Sequence, residues 1–402
     1  MKDTRLTPKA WAVLLLYALF GAADSLCSIF VSVYLWINSL DFELVCRHYL
    51  TLYAVTPFVF ILAGWYSAAR DRLHMYRLGL ALHVVYYATL LTLRERSPEY
   101  AAHLGALLGI TWGVFYAGVN TLDFDVTRSG RREYYFGLVT SLDGAARLVA
   151  PIIGGLIIVQ TPGTRLGYHL VFVLATALYV TGFAVSFLLP KDNVRRPFRI
   201  WRALFPPRDQ RDWRLLMIVS MTLAGSLNIL TFLLALLMFM QTGSELSVGE
   251  FASFQALTSV LAAYLLGRAI VPGTRRAYMR WGVTLLVAGG TLVALRLDFT
   301  TLVLFGFLRG LSGPMFGIPH SGLRLDVISK TVEEPSQRIE YLSAWEVPLA
   351  VGRVIMMTTL MALTHWFGES DLGLRIAVFL MCAVRIATYF VVTQTSALRR
   401  EV

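Results

Sequence analysis

The chain has 402 residues, 56% of them hydrophobic and only 15% charged, with a mean hydropathy of +0.62. Soluble domains carry about 25% charged residues, so this composition excludes an ordinary globular protein and describes one that crosses a membrane many times. A net charge of +11 would suit nucleic acid, but the distribution of that charge along the chain excludes such a partner.

Twelve apolar runs are predicted, near 10–36, 48–69, 75–93, 101–122, 134–160, 168–190, 213–240, 249–271, 279–296, 299–322, 341–366 and 372–394. At 1.5 Å per residue, helices of this length cross or nearly cross a hydrocarbon core about 30 Å thick. The expected fold is all-α, with twelve transmembrane helices in two six-helix pseudo-repeats. With the N-terminus placed in the cytoplasm, the N-terminal tail, even-numbered loops and C-terminal tail hold 26 of the 36 Lys and Arg, and the odd-numbered loops hold 6. This bias places both termini in the cytoplasm of a multi-pass plasma-membrane protein. The other four cations, Arg147, Arg309, Arg353 and Arg385, lie inside apolar runs.

Run one is far longer than a signal-peptide core and has no small-residue cleavage site, so it is expected to remain as a helix. Asp24 sits about halfway along it, where a carboxylate costs at least ~2.5 kcal/mol on the mildest insertion scale. One reading is a protonatable site; the other is a structural hydrogen bond to Ser25 or Ser28. Cys27, Cys46 and Cys382 are too few and too scattered for a disulfide framework or a metal cluster.

Run four carries Trp112, Tyr116 and Asn120 at a spacing of four, one stripe of a helix. Packing suffices for Trp112; Tyr116 and Asn120 are candidates to line a solute site. In run five Asp143 and Arg147 are one turn apart and can pair. Either the pair is inert or Arg147 is released to a solute. Asp123, Asp125, Arg128, Arg131 and Arg132 are expected to form a charge cluster after run four, with Asp326, Arg324 and Arg338 as its later counterpart.

Between runs six and seven lies a basic linker, 191–212, in which cations alternate with Phe198, Ile200, Trp201, Leu204 and Phe205. It suits either an anionic leaflet surface or solvent. It divides the chain into 1–190 and 213–402, and the two parts echo each other. Leu19-Phe-Gly-Ala-Ala-Asp24 matches Leu223-Ala-Gly-Ser-Leu-Asn228; Gly64, Arg72, Arg77 and Gly79 match Gly267, Arg275, Arg280 and Gly282; Phe124-Asp125-Val matches Leu325-Asp326-Val. In the second part, Arg309 stands among small and helix-breaking residues, where it could meet an anion or an acid from another helix. Glu346 and Arg353 repeat the acid-then-arginine theme on one face of run eleven. Arg385 in run twelve is expected to snorkel toward the surface, and His320 to be solvated near a membrane face.

Three of these features carry a family resemblance. The loop Gly64-Trp-Tyr-Ser-Ala-Ala-Arg-Asp71-Arg72 resembles the signature between helices two and three of the major facilitator superfamily, without its later Gly and with the Asp–Arg pair displaced. Asp143-Gly-Ala-Ala-Arg147-Leu-Val-Ala-Pro151-Ile-Ile-Gly154-Gly155 resembles that superfamily's helix-five antiporter pattern, with Ala150 replacing a Gly. The six-plus-six layout is also similar to that of uncharacterised bacterial putative transporters of this superfamily.

The resemblance implies alternating access of two halves around a midplane site. It assigns Gly64, Asp71, Arg72, Pro151, Gly154 and Gly155 to the gates; Asp125 and Asp326, in the charge clusters after runs four and ten, are gate or topology residues. The depth and isolation of Asp24 make it the expected proton-coupling residue, and the polar and charged residues inside the apolar runs, Arg309, Arg147, Arg353, Asn228, Tyr116, Asn120, Glu346 and Asp143, are the expected solute residues. The function expected is proton-coupled export of a small organic or amphiphilic solute by a monomer in the lipid bilayer, driven by the proton gradient without a cofactor or metal. Symport uptake of a small organic anion, or a transport-inactive sensor, stands as the alternative. An enzyme is not expected, because no H-E-x-x-H, G-x-S-x-G, Walker lysine or dinucleotide glycine motif occurs.

Overall fold

Backbone donors and acceptors have no water to bind inside a bilayer, so long apolar runs satisfy them internally as α-helices. The computed structural model bears this out over the residues it describes, 8–69, 72–126, 132–189, 199–332, 337–368 and 371–399. Among these residues there is no strand. The first helices are α1 (Pro8–Ser39), α2 (Phe42–Ala69), α3 (Arg72–Leu93), α4 (Ala101–Val126), α5 (Arg132–Gln160) and α6 (Thr164–Ser186). A short α7 (Ile200–Leu204) precedes α8 (Arg211–Ala224), which passes through a π-helical turn at Gly225–Ile229 into α9 (Leu230–Thr242). Then come α10 (Glu245–Ala269), α11 (Arg275–Leu295), α12 (Phe299–Thr331), α13 (Arg338–Phe367), α14 (Leu372–Val392) and α15 (Ser396–Arg399).

Ten described stretches are long and apolar enough to cross a membrane, where the sequence reading expects twelve. Expected runs three and four fall in one continuous stretch, Leu73–Val119, joined by helical turns at Arg94–Tyr100. The expected seventh is divided by the π turn into helices of 14 and 13 residues, each too short to span alone.

The chain forms two compact units, one of Met1–Phe198 with Ser244–Ser253, the other of Arg199–Gly243 with Phe254–Val402. In the first, α1 packs on α5 and α6, α3 on α4 and α6, and α2 on α4. The α2–α4 contact is close because α4 offers only glycine: a Cβ on Gly105 would stand 2.1 Å from the His48 carbonyl oxygen. Small residues at such seams are how membrane helices gain contact without a hydrophobic driving force between them. Within the unit, aromatic rings fill the space among α1, α3, α4 and α6, with Phe20 stacked on Phe115 at 4.0 Å and His83 on Tyr179 at 4.6 Å. Arg77 donates from Nη2 to the Ser186 and Leu189 carbonyls at the end of α6, at 3.0 and 3.3 Å, where a cation also meets the helix dipole.

In the second unit α8 packs on α13 and α14, and α11 on α12 and α14. The matched glycines meet matched partners: Gly79 lies on the backbone of Phe115, and Gly282 on that of Phe316. Short α7 is tied down on its inner side. Trp213 Nε1 donates to the Ala203 carbonyl at 2.8 Å, and the Arg199 amide donates to Glu340 Oε1 at 2.8 Å.

Candidate functional site

Each unit carries its own polar set among apolar helices. In the first unit the set lies on α1, α4 and α5. Asp24 is half-buried on α1, and one turn earlier Gly21 leaves room for α5, where an added Cβ would meet Ala146 at 3.6 Å and Asp143 Oδ1 at 3.9 Å. The charges acting on Asp24 are those of Arg147 and Asp143. Arg147 Nε donates to Asp143 Oδ2 at 2.8 Å, as their spacing predicts, and both side chains stay open, at 62% and 49% exposure. Tyr116, itself exposed, lies within electrostatic reach of Arg147. Among the described hydrogen bonds, neither Ser25 nor Ser28 donates to the Asp24 carboxylate. Asn120, the other member of the run-four stripe, has a side chain outside the described residues.

In the second unit the set is built on the π turn. A π turn places an extra residue in the helix and is found mostly at functional positions. Here it carries Ser226 and Asn228, and the helix continues to Thr231. This one helix holds three arginines from three others. Arg353 of α13 donates from Nε to Asn228 Oδ1 at 3.0 Å, with Glu346 at 3.6 Å from its Nη1. Arg385 of α14 donates from Nε to Ser226 Oγ at 2.7 Å and lies 4.7 Å from the Phe316 ring centre. Arg309 of α12 donates from Nη2 to Thr231 Oγ1 at 2.9 Å and from Nη1 to Gln255 Oε1 of α10 at 2.8 Å. Around them, Phe316, His320 and Trp345 form a run of rings, and the Arg324 guanidinium sits 5.0 Å over Trp345.

Three expectations are corrected. Arg385 does not snorkel: it is 8% exposed and turned inward, because Ser226 on the neighbouring α8–α9 helix offers an oxygen. His320 is not solvated but buried between Phe316 and Trp345. Arg324 leaves the expected charge cluster for the indole face of Trp345, and Asp326 instead pairs with Arg275 at 2.7 Å. Ser226, Thr231 and Gln255 are additions. For Thr231 and Gln255 the sequence signal is a polar side chain inside an apolar run; Ser226 also lies in the repeated stretch Leu223–Asn228.

Of the residues assigned to gates, Gly154 packs on Phe30 and the Leu26 carbonyl of α1. Gly155 packs on the backbone of Glu245 and Leu246, in the part of α10 that belongs to the first unit, and the Pro151 carbonyl lies against Gly249 there. Tyr168 donates to the buried Glu245 at 3.2 Å in the same place. Gly64 is buried on α2. The side chains of Asp71, Arg72 and Asp125 lie outside the described residues, as do those of Asp123, Arg128, Arg131, Arg132 and Arg338. Among the described residues, no group of three or more His, Cys, Asp or Glu side chains converges in a way that could hold a metal ion.

These features define a polytopic membrane protein with the fold of a secondary transporter. No family model matches the sequence. Two bacterial proteins are similar to it. The uncharacterised protein YqgE of Bacillus subtilis is 25% identical over 90% of this chain and 84% of its own length. An uncharacterised protein of Geobacillus stearothermophilus, from the sodM 3' region, is 31% identical over 44% of this chain and 82% of its own. Among solved structures, a bacterial homologue of the iron transporter ferroportin superposes with a TM-score of 0.70 at 15% identity, over 96% of this chain and 98% of that one. A peptide transporter superposes with a TM-score of 0.75 at 14% identity, over 98% of this chain and 95% of the other. The chain belongs to one family with the uncharacterised Geobacillus stearothermophilus protein, and it shares the fold of these solved transporters.

Proposed function

We propose that the protein is a proton-coupled transporter that carries a small organic anion together with a proton across the plasma membrane by alternating access, the symport alternative rather than export. The observation that carries this reading is the group formed by Asp24, Asp143 and Arg147. A carboxyl at this depth is stable either neutral or facing a cation, and Arg147 is a cation already engaged by one acid. When Asp24 is protonated, Arg147 answers only to Asp143. When Asp24 loses its proton, two carboxylates compete for Arg147, and the field at the site becomes more negative. A solute anion that uses Arg147 is therefore favoured in the protonated state and expelled by deprotonation. That cooperation between proton and anion is the physical requirement for carrying the two together in one direction.

The second unit supports the anionic character of the solute. Arg385 is held by a hydroxyl and a phenyl ring, and among the described residues no carboxylate forms an ion pair with it. A buried charge left without a counter-ion costs several kcal/mol, which an arriving anion can offset. The likeness of Pro151–Gly155 to the antiporter pattern favours export instead, and the sign of the coupled flux decides between the two. The charge bias of the loops supports cytoplasmic termini.

The test is transport in proteoliposomes with an imposed pH gradient of either sign. The panel contains aromatic and aliphatic carboxylates, phosphonates, zwitterions, sugars and lipophilic cations. Anion movement in the direction of proton flow, absent in Asp24→Asn, is the expected result; movement against proton flow rejects co-transport in favour of export. Movement of lipophilic cations, or anion movement in Asp24→Asn with unchanged pH dependence, rejects the reading.

A further inference from the structure

The basic linker ends in a device that transport does not explain. Ile200 and Ala203 of α7 are buried, and the Trp213 and Arg199 hydrogen bonds hold that face down. The other face projects Trp201 and Phe205, 67% and 74% exposed, stacked on each other at 5.9 Å with their planes 14° apart. Two large rings fixed in the open, beside the ends of membrane helices, have the chemistry of an interfacial anchor.

Next to them the second unit has a cavity of about 550 Å³, where the start of α8 meets the ends of α12 and α14. Four cations line it: Arg202, Arg211, Lys330 and Arg399. Two acids line it as well, Asp209 and Asp212, and Asp212 is already occupied in accepting from the Ser396 amide at 3.0 Å and from its hydroxyl. The cavity is thus net positive. Basic pockets between transmembrane helices at the cytoplasmic end suit anionic lipid head groups.

We propose that this cavity binds the phosphate of an anionic phospholipid from the inner leaflet, with the Trp201–Phe205 pair seated in the same leaflet beside it. The inner-leaflet source rests on the orientation given under Proposed function; the site itself does not depend on transport or on its direction. The phosphate lies among Lys330, Arg399, Arg202 and Arg211, and the acyl chains leave toward the bilayer alongside the stacked rings. A soluble phosphate would have no use for the rings, which is why the lipid is the source chosen.

The experiment is a melting-point titration of the full chain in neutral detergent. The probes are dioctanoyl phosphatidylglycerol, dioctanoyl phosphatidylcholine, glycerol 3-phosphate and inorganic phosphate. Phosphatidylglycerol is expected to raise the melting point by mass action, and the other three are not. The surface double variant Lys330→Gln/Arg399→Gln is expected to bind phosphatidylglycerol about thirtyfold more weakly, since each cation at a lipid surface contributes about the same modest increment. Trp201→Ala/Phe205→Ala is expected to weaken lipid binding while leaving the melting point without lipid nearly unchanged. Equal stabilisation by phosphatidylcholine, equal stabilisation by inorganic phosphate, or unchanged phosphatidylglycerol binding in the double variant overturns the proposal. Because the readout is binding in detergent, a failure here is distinct from a failure of the transport reading.

Discussion

Asp24 and Asn228 stand at matching places in the two halves, 204 residues apart, and their neighbourhoods are built from the same parts. Each has an arginine preceded by an acid on the fifth long apolar segment of its half: Asp143 and Arg147 in one, Glu346 and Arg353 in the other. In the first unit the arginine stays with the acid of its own helix, both remain open, and the α1 residue is titratable. In the second the arginine is buried, its Nε is given to an amide that cannot titrate, and the acid lies farther off, at 3.6 Å. A carboxyl in the open group can gain or lose a proton without dismantling anything. An amide in the buried group can only hold. The comparison separates a unit with a carboxyl beside an open ion pair from one whose amide and hydroxyl oxygens hold buried cations.

The largest effect expected from breaking this contrast is on stability. Arg353→Ala leaves Glu346 and Asn228 without their buried partner and is expected to cost about 3–5 kcal/mol. Arg147→Ala removes an exposed pair and is expected to cost about 1 kcal/mol or less. Unfolding of the two variants in detergent, measured side by side, checks the difference; equal losses would erase the distinction between the units. Ser226→Ala takes the hydroxyl from Arg385, a hydrogen bond to a charged group, for about 1.5–3 kcal/mol. The matched residue in the first half is Ala22, so Ala22→Ser is the control and is expected to change little.

Function sharpens the comparison further. Asp24→Asn makes the first unit chemically like the second, and proton-driven accumulation is expected to fall by about tenfold or more, the effect of losing ~1.4 kcal/mol of coupling. Asn228→Asp gives the second unit a carboxylate facing Arg353, and pH dependence of flux is expected to persist because Asp24 is intact. Flux against pH in both variants decides this, and loss of pH dependence in Asn228→Asp alone would move the proton site to the second unit.

The smallest effect lies at the start of α12. There Asp298 accepts from the Thr301 amide at 2.9 Å in a capping box, and those hydrogen bonds hold its carboxyl below the usual carboxylate range. A depressed folded-state value means the stabilisation is complete above the ordinary Asp value of about 3.9 and is lost as pH falls below it. The small melting-point gap between wild type and Asp298→Ala is therefore expected to be full at neutral pH and to narrow under acid.

Local spacing made some of this legible. Asp143 and Arg147 are four apart, so their pairing follows from helix geometry alone, and the deep placement of Asp24 follows from the length of its run. No local spacing pairs Arg275 with Asp326, although the repeat marks both residues. Ser226 with Arg385 is 159 residues apart and Gln255 with Arg309 is 54; no periodicity links such pairs. The inward turn of Arg385 was missed for the same reason, since an arginine in an outer helix reads as a snorkelling cation until its acceptor is known.

The amino-acid sequence by itself determined that the protein lives in a membrane, that its two halves share a pattern, and which ionisable residues are forced into the apolar interior. Those properties follow from composition and from residue spacing within single helices, where every neighbour is three or four positions away. Only the tertiary structure decided which arginine meets an acid, which meets an amide or a hydroxyl, and where the helix opens into a π turn to offer them. The physical reason is that a charge in an apolar interior takes whatever oxygen the adjoining helix brings within 3 Å or so of it, and helix packing, not sequence distance, chooses that helix.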